Sequence, residues 1–159
     1  MTDNDGAAKV SDLIKGIRVA MLTTTSTEGG LRSRPLATQD VDFDGDVYFI
    51  VERDSSAVAD VTNHGAVNVA YVGDSTWVSL SGTARVLPDS PKLAELWNTF
   101  TDAWLHGGPD DPNNVLLHVQ AESAEYWDAP GAKVVQLANL VRSKVTGKRV
   151  EGDSGTVSL

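Results

Sequence analysis

Six short runs with the composition of β-strands place the strongest constraint on how this chain folds. The runs are rich in β-branched and aromatic residues, and clusters of glycine, aspartate and serine separate several of them. Short strands joined by turns favour an antiparallel sheet that curves into a barrel. The predicted strands span residues 18–26, 31–41, 46–53, 66–72, 76–87 and 114–127.

Helical patterns interrupt these strands, so the sequence predicts a mainly β fold, a six-stranded antiparallel split barrel with peripheral helices. Helices are predicted over 8–17, 55–64, 89–104 and, more weakly, 134–145. The third helix has an apolar stripe that we interpret as core except at Trp104, where a Gly/Pro loop follows. Its members are Leu93, Leu96, Trp97, Phe100 and Trp104. Residues 1–7 are predicted to be a flexible start, 8–146 one domain, and 147–159 a polar tail.

Charge and composition exclude several classes of function. The 159 residues carry a net charge of −9, which argues against partners with dense negative charge, namely nucleic acid and anionic membranes. The absence of cysteine excludes disulfides and thiolate chemistry. The sequence shows neither a signal peptide nor a run of 18 apolar residues, so we expect a cytoplasmic protein.

The familiar catalytic motifs are absent, and the candidate metal sites are weak. No phosphate loop, dinucleotide turn or nucleophile elbow occurs, and the three histidines lack metal-ligand spacing, which favours structural roles for them. Residues 40–45 begin like a calcium loop, but its twelfth position is Val51 instead of glutamate. We interpret these aspartates as a solvated turn.

Arg32 and Arg34 form a candidate anion site. They alternate onto one face of the second predicted strand, where two guanidinium groups can bind a phosphate or a carboxylate. Pro35 cannot donate to a sheet, so this strand is predicted to lie at an edge or to contain a bulge. The alternative is a solvated edge whose arginines oppose aggregation.

Ser55 and Ser56 begin the short helix after the third strand. Helix N–H groups and serine hydroxyls bind phosphate readily, so a hairpin of the second and third strands would bring a second set of donors toward the arginines. Simple capping of the helix predicts the same serines. The residue types leave both interpretations open.

Several blocks in fixed order resemble the pyridoxamine 5'-phosphate oxidase-like split barrels, and most of all their general stress protein 26 branch. The blocks are SRPLA (33–37), VYF (47–49), RDS (53–55), VSLSGTARV (78–86), ELW (95–97), GGPDDP (107–112) and EYWD (125–128). The resemblance covers residues 8–147. It implies a homodimer with FMN in a groove between the subunits.

The resemblance also implies roles for individual residues. Arg34, Ser55 and Ser56 would hold the FMN phosphate, backbone atoms of the second and third strands would line the ring, and Trp104, Trp77 and Trp127 are candidates for the rim. The predicted cofactor-binding residues are Arg32, Ser33, Arg34, Pro35, Leu36, Ile50, Val51, Ser55, Ser56 and Trp104.

The chain departs from the family at one position of this site. Relatives carry Asp-Ser-Pro-Lys after the third strand, whereas this chain has Asp54, Ser55, Ser56 and Ala57, so the lysine is absent. Arg32 or Arg53 could supply the missing charge. The leading hypothesis is an FMN-dependent oxidoreductase with a small-molecule redox partner. Pyridoxamine phosphate oxidase activity is not expected, and the alternatives are a non-enzymatic stress protein or a barrel that binds FAD or F420.

Overall fold

The computed structural model of the protein describes residues 3–39, 41–88, 91–129 and 153–159. These ranges form four helices and seven strands of one sheet. The elements are α1 (Asp3–Ile14), β1 (Val19–Thr25), β2 (Leu31–Ala37), β3 (Asp46–Glu52), α2 (Ser56–Asn63), β4 (Ala66–Val72), β5 (Thr76–Leu87), α3 (Pro91–Leu96), α4 (Thr99–Trp104), β6 (Asn114–Asp128) and β7 (Asp153–Ser158).

The sheet is antiparallel and remains open, which confirms the predicted split barrel. Its strand order is β2-β1-β4-β5-β6-β3, and β7 pairs with the second half of β6. Among the described strands β2 pairs only with β1, and β3 pairs only with β6. The barrel is therefore split between β2 and β3, each of which leaves one edge unpaired.

All six predicted strands form, but the predicted hairpin of the second and third strands is wrong. Leu31–Ala37 pairs with the preceding strand through a turn in which Gly29 has a φ of 94°, and this strand ends at Ala37 rather than Val41. The connection from Ala37 to Asp46 is too long for a tight turn, and β3 pairs with β6 instead.

β5 contains a bulge at Gly82. The register against β6 shifts between Ser81 and Gly82. A Cβ atom at Gly82 would clash with the backbone carbonyl of Gln120, so the close approach of the two strands requires glycine there. β6 has 15 residues and pairs with β5 on both sides of the bulge. On its other edge, residues 114–120 pair with β3 and residues 123–128 pair with β7.

The main core lies inside the curved sheet, and α1 and α2 contribute to it. Val10 of α1 is fully buried, and Ala57 and Val61 of α2 are 3% and 4% exposed. A smaller apolar cluster on the outer face joins β3 and β6 to α3. The buried members of that cluster are Ile50, Leu93, Leu96 and Leu116.

Two helix predictions need correction. α1 begins at Asp3, so residues 3–7 are helical and not a loose start. The helix predicted over 89–104 is two helices, because the Asn98 side chain accepts a hydrogen bond from the Thr101 N–H at 3.0 Å and caps a new helix. Phe100 is consequently 49% exposed and not part of the core. The helix predicted over 134–145 lies outside the described residues.

The region predicted as a polar tail ends in a strand. β7 covers Asp153–Ser158, and Val157 belongs to the main core, where it packs against Gly6 of α1. Within the described residues, no helix has both the length and the apolar character needed to cross a bilayer.

Candidate functional site

The β1–β2 hairpin places both candidate arginines on the inner face of the sheet. Arg34 is registered with Leu22 and Arg32 with Thr24, and both β1 residues are buried. Pro35 is registered with Met21 on the opposite face, at the edge of the sheet. The prediction of an edge strand is therefore confirmed, and the arginines face the side that α2 covers.

Both guanidinium groups converge on one buried carboxylate, Asp60 of α2. Arg34 Nη2 donates to Asp60 Oδ2 at 3.0 Å, and Arg32 Nε lies 3.2 Å from the same oxygen. The Thr24 hydroxyl donates to that oxygen at 2.7 Å. Asp60 is 1% exposed, so these contacts replace its lost hydration. The spacing of the arginines predicted a carboxylate or a phosphate as their partner, and the structure shows an internal carboxylate.

Arg32, Arg34 and Asp60 together carry a net positive charge. Burial raises the pKa of Asp60, but hydrogen bonds from Thr24 and Arg34 and the charges of both arginines outweigh it and lower the pKa below 3.8. Asp60 is therefore ionised at neutral pH. Two guanidinium groups and one carboxylate leave one net positive charge at the edge of an acidic protein.

Each arginine keeps donors that Asp60 does not use. Arg34 Nη1 donates to the Thr24 hydroxyl at 2.7 Å and to the Leu22 carbonyl at 3.4 Å, which leaves its Nε–H and one Nη2–H. Arg32 contacts Asp60 through Nε, and its side chain is 43% exposed. The arrangement fixes the guanidinium groups and leaves N–H groups for an external anion.

Ser55 and Ser56 begin the helix that carries Asp60. Ser55 is the N-cap, and its hydroxyl accepts a hydrogen bond from the Val58 N–H at 3.4 Å, which confirms the capping interpretation for this serine. Ser56 is exposed and lies one turn before Asp60 on the same face of the helix. The N–H groups of Ser56 and Ala57 have no acceptor within the helix. These donors lie at the start of the helix whose Asp60 contacts both arginines.

The other predicted site residues are more dispersed. Ser33 lies on the outer face, where its hydroxyl is 2.5 Å from that of Thr23. The side chains of Leu36, Ile50 and Val51 pack into the apolar clusters, so only their backbone atoms can contact a ligand. Trp104 is 72% exposed at the end of α4, beside Phe100.

Asp60 is the residue of this group that sequence reasoning missed. The signal was present, because Asp60 occupies the inward stripe of α2 between Ala57 and Val61. An acidic side chain in such a stripe requires a buried partner. The opposite charges of Asp60 in α2 and of the two arginines in β2 could have suggested that they pair.

The position of the absent family lysine is buried in this protein. Ala57 is 3% exposed and belongs to the main core, so its side chain points away from solvent. Arg53, one candidate for the missing charge, donates from Nε to the Pro112 carbonyl at 2.9 Å. Arg32, the other candidate, contacts the same Asp60 oxygen as Arg34.

A second polar cluster lies on the outer face of β3, β5 and β6. His118 Nε2 is 2.8 Å from Asp46 Oδ1, and Arg85 Nε donates to His118 Nδ1 at 3.3 Å. The ring of Tyr48 stacks on His118 at 4.9 Å between centroids. Within the described residues, no group of acidic and histidine side chains could hold a metal ion. His118 therefore has the structural partners expected of a buried histidine.

Comparisons with known proteins support the resemblance deduced from the sequence. The family model for "Pyridoxamine 5'-phosphate oxidase like" proteins matches residues 5–151. Protein bli-3 of Neurospora crassa is 26% identical over 155 residues, which cover 88% of this chain and 74% of that protein.

Solved structures show the same fold. The general stress FMN/FAD binding protein from Xanthomonas citri is 28% identical, with a TM-score of 0.69 over 81% of this chain and 92% of that one. A general-stress-protein structure from Jannaschia sp. CCS1 is 24% identical, with a TM-score of 0.81 over 99% of this chain and 100% of that one. The split barrel is thus shared along nearly the whole chain.

Proposed function

Because the chain belongs to the pyridoxamine 5'-phosphate oxidase-like family, we propose that it binds a flavin, FMN, whose phosphate Arg34 and Arg32 hold at the edge of β2. The observation that carries this proposal is the convergence of both guanidinium groups on the buried Asp60, which fixes them and leaves a net positive charge. The similarity to an FMN/FAD binding protein supports a flavin as the ligand.

The donor set fits a phosphate. The free N–H groups of Arg34, the terminal nitrogens of Arg32, the Ser56 hydroxyl and the first N–H groups of α2 are all donors, and phosphate oxygens are acceptors. Arg32 supplies the charge that relatives obtain from a lysine at the position of Ala57. Asp60 orients the arginines and does not contact the ligand in this proposal.

The backbone edges of β2 and β3 are the proposed location of the flavin ring. Each strand has one edge without a described β partner, around Pro35 and Leu36 in β2 and around Ile50 and Val51 in β3. Unpaired N–H and C=O groups of an edge can bond to the polar atoms of a planar heterocycle. Trp104 remains a proposed rim residue because it is exposed on a helix that precedes a glycine-rich loop.

The homodimer is part of the same proposal. The outer face of β1 and β4, and of β5 and β6 around Trp77 and Trp127, carries exposed apolar side chains in one row across paired strands, away from the Leu116 end of β6 where α3 packs. Such a row is typical of an interface. Its members are Val19, Val72, Trp77 and Trp127. A second copy on this face would place the β2 edge beside a subunit boundary.

The proposed activity is that of an FMN-dependent oxidoreductase with a small redox substrate. A bound flavin supplies hydride or electron transfer, and this chain's residues bind and orient it. Asp60 stays ionised at neutral pH, so it provides fixed electrostatics and no proton relay. The alternative that this observation favours is a flavin-binding stress protein without turnover.

The direct test is an FMN titration of the wild-type protein and of Arg34→Ala. We expect Arg34→Ala to weaken FMN binding at least tenfold, because charge-assisted hydrogen bonds to the phosphate are lost. Arg53→Ala is the matched control, because Arg53 is exposed and contacts the Pro112 carbonyl. Arg53→Ala should leave the Kd within about twofold of the wild-type value.

Two readouts keep this test decisive. Circular dichroism and thermal unfolding show whether Arg34→Ala remains folded, and Arg34→Lys retains a charge if the alanine variant does not fold. An unchanged FMN Kd in a folded Arg34 variant would exclude Arg34 from the site. Mass spectrometry of the ligand released from native protein distinguishes FMN from FAD and F420.

Steady-state oxidation of NADPH or NADH by the FMN-saturated protein separates the two candidate functions. Turnover above that of free FMN supports an oxidoreductase. Stoichiometric flavin binding without turnover supports the binding protein.

A further inference from the structure

A cavity of about 340 Å³ opens at the opposite end of β2 from the Arg34 site. It lies between the end of α1, the segment after β2, and the start of β3. Thr38, on its wall, is four residues beyond Arg34, a separation of about 13 Å along an extended chain. Its volume is within the range of small-molecule sites, about 300–1,000 Å³. None of the residues around Asp60 lines it.

The cavity wall contains the unpaired cations of the described structure. Described residues include eight lysines and arginines, of which six have a polar or aromatic partner. Lys15 and Arg18 are the remaining two in this part of the chain, and both line the cavity. In a protein with a net charge of −9, two exposed cations on one cavity wall, neither with a described carboxylate partner, favour an anionic ligand. Arg18 and Thr38 also line a neighbouring cavity of about 490 Å³ beside Phe100.

Tyr71 supplies a buried polar atom at the same cavity. Its side chain belongs to the main core and is 4% exposed, and its hydroxyl makes no hydrogen bond to a described residue. No fully buried side-chain polar atom in the described ranges lacks a partner, so this hydroxyl retains accessible surface. Because Tyr71 lines the cavity, we infer that its hydroxyl is accessible from the cavity. Burial raises the pKa of Tyr71, so the hydroxyl keeps its proton at neutral pH and can donate.

Aromatic rings and acidic groups complete the wall. Phe43 and Tyr71 line the cavity and both belong to the main core, and such rings favour a planar apolar body. Tyr48 also borders the cavity, but its ring is stacked on His118 and lies under Lys92 Nζ. Asp42 and Asp46 also line it, and Asp46 is bound to His118. These carboxylates would repel a ligand that carries negative charge at both ends. A single anionic group near Lys15 and Arg18 satisfies both constraints.

We propose that this cavity is a second ligand site, separate from the flavin site, which binds a small aromatic carboxylate through Arg18, Lys15 and the Tyr71 hydroxyl. The carboxylate lies at the end of the cavity that α1 and Arg18 form, and the ring packs on Phe43. The site does not depend on flavin binding, because no residue that we assign to the phosphate lines the cavity.

The test uses 2-naphthoate as the probe, in calorimetry and in amide NMR of the full chain as purified and after saturation with FMN. We expect saturable binding that shifts amide signals of residues 14–18 and 41–48. The neutral analogue 2-naphthamide should bind at least tenfold more weakly, because it lacks the charge that Arg18 and Lys15 recognise. Acetate, which lacks the ring, should show no saturation in the millimolar range.

Variants separate this site from the flavin site. Arg18→Gln should weaken 2-naphthoate binding at least fivefold and Tyr71→Phe at least threefold, and both should leave the FMN Kd unchanged. Arg34→Ala should weaken FMN binding and leave 2-naphthoate binding unchanged. Arg53→Gln is the control for loss of one exposed positive charge outside the cavity and should change neither. Because Tyr71→Phe removes only the hydroxyl, it keeps the core packing that a smaller side chain would lose.

The proposal is overturned by any of three results. They are no saturable binding of 2-naphthoate, equal binding of 2-naphthamide, or loss of 2-naphthoate binding when FMN is added. The third result would identify the cavity as part of the flavin site. If the protein binds no flavin but binds 2-naphthoate through Arg18 and Tyr71, the cavity proposal stands and the proposed flavin function fails.

Discussion

Two polar clusters on opposite faces of the same sheet contain similar groups but differ in burial. The inner cluster comprises Asp60, Arg32, Arg34 and Thr24, and the outer cluster comprises Asp46, His118 and Arg85. The side chain of Asp60 is 1% exposed, whereas that of Asp46 is 37% exposed. Each cluster joins a carboxylate to an arginine, directly in the inner cluster and through a histidine ring in the outer one.

The difference shows which cluster has charge to offer a ligand. In the inner cluster two arginines meet one ionised carboxylate, and donors remain after every buried acceptor is satisfied. In the outer cluster Arg85 Nε and Asp46 Oδ1 occupy both nitrogens of His118. The inner cluster is therefore suited to bind an external anion, and the outer cluster holds three strands together.

The largest expected effect comes from removing the buried carboxylate. Asp60→Ala should lower the free energy of unfolding by about 3–5 kcal/mol, because two guanidinium groups lose their partner. Asp46→Ala is the matched change in the outer cluster and should cost about 1 kcal/mol, because Asp46 is partly solvated. Urea denaturation measures both. Equal losses would show that burial does not distinguish the clusters.

A smaller effect is expected on acidification. Since the folded pKa of Asp60 is lower than its unfolded value near 3.8, its contribution to stability is constant above that pH and is lost as the pH falls through the folded pKa. The difference in unfolding free energy between wild type and Asp60→Asn should therefore shrink below pH 3.8. Asp74→Asn, at an exposed turn, reports the acid sensitivity of the rest of the chain. A difference that persists in strong acid would contradict the ion-pair account.

The smallest effect is a tautomer preference that changes no stability by itself. Arg85 Nε–H can only donate, so His118 Nδ1 must accept, and the neutral ring carries its proton on Nε2, toward Asp46. Long-range proton–nitrogen NMR should show the Nε2–H form in the wild type and a mixture in Arg85→Gln. An Nδ1–H ring in the wild type would be incompatible with the hydrogen bond from Arg85.

Local patterns were sufficient to predict the strands but not all of their partners. The ranges 66–72 and 76–87 agree with the predicted bounds, because side chains on these strands alternate between the core and the outer face. The pairing of Leu31–Ala37 with β1 has a local signal, the short turn with Gly29 and Gly30 between the two strands. The partner of Asp46–Glu52 did not, because β6 lies more than 60 residues later and no local signal encodes that pairing.

The arginine site was predicted only in part for a similar reason. Spacing along β2 predicted two guanidinium groups on one face, which the structure confirms. The identity of their partner depends on how α2 packs over the hairpin, and this packing is a tertiary contact. An acidic residue in an apolar helical stripe marks such a contact without naming its partner.

The prediction of one helix over 89–104 was wrong for a local reason that hydrophobic periodicity does not detect. Leu93 and Leu96 are buried as the stripe predicted, but Asn98 follows them and caps a second helix. Asparagine competes with the backbone for hydrogen bonds and so favours helix starts over helix interiors. The stripe therefore breaks after Trp97, and Phe100 and Trp104 turn outward.

β7 has a consequence for anyone who expresses a shortened form of this protein. It pairs with residues 123–128 of β6, so deletion of residues 153–159 would uncover a row of backbone donors and acceptors beside a vacated hydrophobic position at Val157. Open strand margins of this kind recruit other chains. A truncated form should self-associate into sedimenting aggregates at concentrations where the full chain stays dispersed.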